Sequence, residues 1–359
     1  MFALRTTALR ASTARAPLAA RSFASAALRM QEKVAEKQVP VSSYHSEKAP
    51  AQGAKNPVET VLPVGEAKPV AFGADDTRAA VPLGKGVIDT LTPTLKKFTL
   101  QGKVAVITGG ARGLGYGMAQ AMSEVGAKAI AILDIQQEIG DKAAADLHAQ
   151  TGIPVQFYKV DVRDGGAIAE VVDNIVSTFG SVDVLVNSAG IADSNIKAEV
   201  YDHAMFRRLI DINITGSFLV AQAVGRAMIQ QGRGGAIVNI ASMSGTVVNY
   251  PQEQSCYNAS KAGVIQLTKS LAAEWAKYKI RVNSISPGYM DTALNRVPAL
   301  DAQKKIWTSL TPQERLGDPD ELNGLATYLA SDASSFMTGS NCIIDVSWMH
   351  FRRRLDFCG

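Results

Sequence analysis

Tyr257 and Lys261 stand four residues apart in Tyr257-Asn258-Ala259-Ser260-Lys261. A helix repeats every 3.6 residues, so on a helix the two share a face. A phenol then sits beside an ammonium. A neighbouring cation favours the phenolate and lowers its pKa. A phenol tuned in this way can take up or release a proton near neutral pH, the task of a general acid/base. The same spacing occurs on surface helices with a single aromatic anchor. The pair therefore gains meaning only from what the rest of the chain sets beside it.

The elements that would do so begin near Gly102. Short apolar runs at 104–108, 129–134, 155–161, 182–187, 236–242, 280–286 and 342–346 alternate with longer stretches of helical period, such as 114–125 and 167–179. Apolar β-rich runs between helices predict a parallel sheet covered on both faces. Seven runs in one repeated pattern predict a single α/β domain, Rossmann-like and doubly wound with a seven-stranded parallel sheet, over residues 96–348.

The ends of these runs carry the next candidates. The first leads into Thr108-Gly109-Gly110-Ala111-Arg112-Gly113-Leu114-Gly115. Gly109, Gly113 and Gly115 let the backbone turn tightly and approach a ligand. The helix that opens at Leu114 points free N–H groups and its positive dipole end the same way, which suits a pyrophosphate. No lysine follows, so the turn is not a phosphate loop of the G-x-x-x-x-G-K kind. The second run ends in Asp134, about 20 residues beyond the last glycine, where an acid accepts from an adenosine ribose and repels a 2′-phosphate. That favours NAD. Arg112 in the glycine turn is a contact for a 2′-phosphate and keeps NADP as the alternative. The third run ends in Asp161-Val162, placed for the adenine edge, and the fourth in Asn187-Ser188-Ala189-Gly190. Ligands of open α/β sheets bind at these carboxyl ends.

Composition narrows the function. The chain has 359 residues, 47% hydrophobic and 19% charged, as in soluble globular proteins. No apolar run approaches the roughly 18 residues of a membrane span. Cys256, Cys342 and Cys358 form no disulfide pattern, and four scattered histidines have no metal-ligand spacing, so no metal is expected. Residues 1–30 hold five of the 37 basic residues and no acid. The remaining 32 basic residues meet 33 acids, which removes the footprint of a nucleic-acid binder. That Arg-, Ser- and Ala-rich segment has the make-up of a mitochondrial transit peptide, which implies a matrix enzyme; a cytoplasmic one is implied if the leader does not act. Residues 31–95 are Pro-rich with few periodic apolar residues and read as a flexible linker. Residues 349–359 form a C-terminal tail.

The order T-G-x-x-x-G-x-G, then N-S-A-G, then Y-x-x-x-K, spread over residues 98–346, resembles the short-chain dehydrogenase/reductase family. The resemblance implies NAD- or NADP-dependent chemistry on CH–OH groups. Tyr257 would be the proton donor or acceptor, and Lys261 would lower its pKa and hold the nicotinamide ribose. Ser242 would orient the substrate oxygen, and Asn213 would support a water-linked proton path. Counting back from the tyrosine selects Ser244 instead of Ser242, while the strand-end position selects Ser242. Pro287, Gly288 and Thr292 would lie along the nicotinamide, and residues 293–316 would form a substrate lid. Trp307 is either a substrate wall or a packed lid residue.

Ser242–Pro251 and Ala273–Tyr278 are similar to fungal polyol dehydrogenases of that family, namely D-arabinitol 2- and mannitol 2-dehydrogenases and sorbose or L-xylulose reductases. The implied substrate is a small polyol or ketose, and the implied assembly is a homodimer or homotetramer. Asn249 and Gln254 suit a hydroxylated substrate. The alternatives are a reductase of 3-oxoacyl thioesters or steroids and a non-catalytic dinucleotide-binding protein. The chain departs from the family at its end, where Asp345-Val346-Ser347-Trp348 replaces Asp-Gly-Gly. Cys256 reads as a small buried apolar residue or a reactive thiol.

Overall fold

In a computed structural model, residues 78–346 are described apart from 85, 194, 293, 294 and 297–299. The expected leader, most of the linker and the C-terminal tail lie outside these residues.

Seven strands form one parallel sheet: β1 Val104–Thr108, β2 Ala129–Asp134, β3 Val155–Lys159, β4 Val184–Asn187, β5 Gly235–Ile240, β6 Ile280–Pro287 and β7 Asn341–Ile344. Their order is β3-β2-β1-β4-β5-β6-β7, the doubly wound arrangement that the sequence predicts. The helices of eight residues or more are α1 Gly113–Glu124, α2 Gln137–Thr151, α3 Gly165–Phe179, α4 His203–Ile210, α5 Ser217–Gln231, α6 Ser255–Trp275, α7 Asp301–Ser309 and α8 Asn323–Ala330.

Successive strand residues point to opposite faces, and the core divides accordingly. Ala105, Ile107, Ile130, Ile132, Val184 and Val186 join the cluster that contains Met118, Met122 and Leu147 of α1 and α2. Val104, Val106, Ala131, Leu133 and Leu185 join the cluster with Ile168, Val172, Val220 and Val224 of α3 and α5. Both faces are covered, which is why the strands read as continuous apolar runs and not as alternating ones.

Two features depart from the expectations. The predicted linker reached residue 95, yet its described end is held against the domain. Ala80 is buried, its N–H donates to Gln150 Oε1, and the Glu124 carboxylate accepts from Val81 N and pairs with Arg78. Pro93, counted toward flexibility, opens a helical turn at Pro93–Lys96 behind the Thr92 cap, a position suited to its fixed φ. The second departure lies between α4 and α5, where Asp211–Gly216 is a π-helical turn. The whole rod, His203–Gln231, is 29 residues long with a mean hydropathy of 1.2 in its most apolar window. Half of that window is packed inside the domain, as in a core helix.

The chain switches sides of β1 when it leaves β3 at the edge and returns as β4. Thr108 of β1 lies in register with Asn187 of β4. A crevice at the carboxyl ends of the strands opens at this switch point.

Candidate active site

Every predicted strand-end residue lies along this carboxyl edge. The turn after β1 rests on the turn after β4. Gly109 has φ +61°, and a Cβ there would meet Ala189 Cα at 2.9 Å. A Cβ on Gly115 would meet Gly109 O at 2.3 Å. The turn is therefore a cradle that side chains would fill, and α1 opens directly behind it at Gly113, with Leu114 in its first turn. Its first N–H groups have no partner within the helix. Both observations fit a dinucleotide pyrophosphate. Thr108 Oγ1 donates to Asn187 Oδ1 and accepts from the N–H groups of Ser188 and Ala189, each at 3.0 Å. Asn187 Nδ2 donates to Ser217 O at 2.8 Å. Asn187 is 2% exposed and both ends of its amide are paired, so its side chain shapes the turn.

Asp134 closes β2, and its carboxylate accepts from Ala111 N at 3.3 Å and Gln136 N at 3.1 Å. Ala111 belongs to the glycine turn, so the acid is fixed beside it. Arg112 is half-buried in the same turn. Asp161 is gripped by Arg163, whose guanidinium holds the carboxyl below its ordinary range. Val162 packs against Gly216 of the π-helical turn.

Beyond β5, Ser242 is extended and its Oγ accepts from Ser244 N at 3.1 Å. Ser242 also lies close enough to the Tyr257 hydroxyl to lower its pKa, whereas Ser244 Oγ accepts from Gln254 Nε2 at 3.3 Å. The structure thus sets Ser242, and not Ser244, against the tyrosine. Tyr257 and Lys261 share one face of α6, as their spacing requires. Lys261 is 7% exposed and donates to Ile240 O at 2.9 Å, and its Nζ lies 5.7 Å from the centre of the Tyr257 ring.

The electrostatics differ from the sequence expectation. Burial pushes the Tyr257 phenol up, and the Ser242 hydroxyl works against that rise. Lys261 is itself pushed down to about 8 by burial. Desolvation penalises the charged form of each group and is the largest cause for both. Both groups are costly to ionise, and the lysine is held well below its ordinary value of 10.5.

Asn213 sits in the π-helical turn, 1% exposed. Its Oδ1 accepts from Ile191 N, and its Nδ2 donates to Ile191 O and Ser260 Oγ. The side chain therefore ties the segment after β4 to α6. Gly190 stands against both centres, since a Cβ there would lie 3.2 Å from Asn213 Oδ1 and 3.6 Å from Lys261 Nζ.

After β6, Gly288 N donates to Ile344 O, and a Cβ on Gly288 would strike Asp345 Cα at 2.8 Å. Pro287 ends the strand, and Thr292 N donates to Met290 O at 2.9 Å. Trp307 of α7 is 4% exposed and stacks on Tyr289 at 4.5 Å, which resolves it as a packed lid residue. The remainder of the expected lid at 293, 294 and 297–299 lies outside the described residues. A cleft of about 250 Å³ opens here, lined by Gly288, Tyr289, Met290, Arg315, Glu321 and Asp345. Ser242, Tyr257 and Lys261 do not line it, so it flanks the site. Cys256 is fully buried with its thiol toward Phe206 O, and burial raises its pKa; it is a packing residue. Tyr289 and Gln252 were absent from the expected set, because their partners Asn249 and Trp307 lie 40 and 55 residues away in sequence.

A family profile described as enoyl-(acyl carrier protein) reductase matches residues 109–346. The chain belongs to the short-chain dehydrogenase/reductase family. It is 40% identical over 264 residues to an NADP-dependent mannitol dehydrogenase of Hypocrea jecorina, covering 72% of this chain and 96% of that protein. It is 40% identical over 272 residues to a ribulose-forming D-arabinitol 2-dehydrogenase of Candida tropicalis, covering 72% and 95%. A crystal structure of a short-chain dehydrogenase/reductase from Mycobacterium marinum superposes with a TM-score of 0.69 at 40% identity, covering 72% of this chain and 99% of that one. The site is thus that of an NAD(P)-dependent oxidoreductase.

Proposed function

We propose that this short-chain dehydrogenase/reductase is a polyol dehydrogenase. It moves hydride reversibly between a nicotinamide dinucleotide and a sugar alcohol/ketose pair, such as D-arabinitol/ribulose or mannitol/fructose. The observation that carries the reading is the grouping of Ser242, Tyr257 and buried Lys261, on the edge that holds the glycine turn. The similarity to mannitol and D-arabinitol dehydrogenases supports the substrate class.

When bound, the dinucleotide supplies the hydride acceptor or donor. The glycine turn and the α1 N-terminus would hold its pyrophosphate, and Asp134 its adenosine ribose. NAD is preferred because the fixed Asp134 carboxylate accepts from a ribose 2′-hydroxyl and repels a 2′-phosphate. Arg112 and the NADP-dependent relative support NADP as the alternative. The chain's own residues manage the oxygen of the substrate. Ser242 and Tyr257 hold it; Tyr257 takes its proton as the phenolate when the alcohol is oxidised and returns one as the phenol when the ketone is reduced. Lys261, with its pKa near 8, stands ready to pass that proton on. The reading further places the enzyme in the mitochondrial matrix through residues 1–30 and assembles it as a homodimer or homotetramer.

Initial rates with NAD and NADP over a panel of sugar alcohols test the reading. Tyr257→Phe is expected to lower kcat by about 10²–10⁴-fold while NADH affinity stays within about twofold, and retained turnover would overturn the assignment. A second reading, reduction of an acyl thioester, draws on the description of the matching family profile. An oxoacyl thioester or a steroid reduced faster than any ketose would select that class. Bound NADH with no turnover of any substrate would select a non-catalytic binder.

A further inference from the structure

Among the described residues, two buried amide atoms near the site lack a hydrogen-bond partner: Asn249 Oδ1 and Gln303 Nε2. Buried polar groups in native proteins are nearly always paired, and an unpaired one costs its desolvation free energy. The two residues are joined through one chain of contacts. Asn249 is 1% exposed and lies in the loop that leads into Tyr257; its Nδ2 donates to the Tyr289 hydroxyl at 2.9 Å. Tyr289 stacks on Trp307 of the lid helix α7 with an interplanar angle of 12°. Trp307 Nε1 returns to the same loop and donates to Gln252 Oε1 at 3.2 Å. Gln303 precedes Trp307 by four residues and shares its face of α7. The contacts join the loop before the catalytic tyrosine, which carries the unpaired acceptor, to the lid helix, which carries the unpaired donor.

We propose that Asn249 and Gln303 are specificity-determining residues that read the hydroxyls beside the reacting carbon. Asn249 Oδ1 accepts from one hydroxyl, and Gln303 Nε2 donates to another. A polyol offers a donor and an acceptor on each carbon and satisfies both amides. A substrate flanked by hydrocarbon leaves both buried and unpaired, which is the basis on which such sites reject analogues. This inference rests on the polyol reading above and deepens it.

Substitution of an amide that is unpaired in the free protein gives a signature that a structural role would not. Gln303→Met keeps the side-chain length and removes only the unpaired group. Its Tm is expected to equal or exceed that of the parent, with NADH affinity by fluorescence unchanged. Its kcat/KM on the best sugar alcohol of the panel is expected to fall about tenfold, the scale of one lost hydrogen bond, chiefly through KM. Asn249→Leu is expected to show the same loss on the polyol with equal NADH affinity, while Asn249→Asp, which keeps the acceptor, retains more activity than the leucine variant. Polyol turnover unchanged in Gln303→Met and Asn249→Leu would overturn the proposal. So would a Tm in Gln303→Met that falls together with activity, which would make Gln303 a packing residue. A parent enzyme that turns over no polyol at all would instead overturn the functional reading, and the proposal with it. That failure is seen in the parent alone, before any variant is made.

Discussion

Lys261 lies between the end of β5 and the first turns of α6, 7% exposed, with Ile240 O as its hydrogen-bond acceptor. Burial lowers its pKa from 10.5 to about 8, a shift worth on the order of 3 kcal/mol. Because the folded value is the lower one, the unfolded chain binds the proton more tightly. Below pH 8 both states are protonated, and the folded state carries the full cost of a buried ammonium. Between pH 8 and 10 the folded lysine has shed its proton while the unfolded one has not, so stability rises with pH. Above pH 10 the raised phenol of Tyr257 acts in the opposite sense. Lys261→Met should therefore lose that rise, and the gap in stability between the parent and the variant should change across pH 8–10 when Tm is followed in the absence of ligand. The neighbouring serines separate by the same kind of argument. Ser242 touches the tyrosine, and Ser244 holds Gln254. Ser242→Ala is expected to cost at least about 10²-fold in kcat. Ser244→Ala should cost less than about tenfold, as the loss of one hydrogen bond behind the site.

The elements place these residues through the ends of strands, and those ends were largely legible. Most apolar runs stop where the sequence turns to glycine, aspartate or asparagine, the fifth stops at serine, and these residues stand at the carboxyl edge. The Tyr257/Lys261 pair was legible because helical period alone sets it on one face. The choice of Ser242 followed from its distance to the end of β5, which is fixed by backbone pairing. The π-helical turn at Asp211–Gly216 was not legible, since a shift of hydrogen bonding by one residue leaves the apolar pattern unchanged. Nor was the wall of Asn249, Tyr289 and Trp307, which depends on tertiary contacts between three segments distant in sequence. The strongest constraint at this scale is the contact between two turns. Gly109→Ala would set a Cβ 2.9 Å from the Ala189 backbone at φ +61°. It is expected to destabilise the protein by about 1–3 kcal/mol in urea titration and to weaken NADH binding in parallel. Gly113→Ala also has a positive φ, of +59°, but meets nothing within 4 Å. Its cost should be near the intrinsic penalty of about 1 kcal/mol.

For the whole molecule, the question is where the catalytic domain begins. Composition placed its boundary at residue 96, but the chain is already tied down at Arg78. Gln120 Nε2 donates to Arg78 O at 2.9 Å, Leu83 N donates to Glu124 O at 3.1 Å, and Ala80 is 5% exposed within the core cluster that holds α1 and α2. These anchors are mostly backbone groups meeting Gln120, Glu124 and Gln150, polar side chains of α1 and α2, and so leave no apolar period in the sequence. They fix α1, the helix whose N-terminus faces the proposed pyrophosphate site. The ion pair of Arg78 with Glu124 is exposed on one side and contributes about 0–1 kcal/mol, so the buried alanine and the backbone bonds carry most of the effect. A chain that starts at residue 78 should match the full-length protein in Tm and in NADH affinity. A chain that starts at residue 97 leaves Gln120, Glu124 and Gln150 without these partners. It should lose about 1–3 kcal/mol, measured as a lower urea midpoint. Equal midpoints for the two truncations would return the boundary to residue 96.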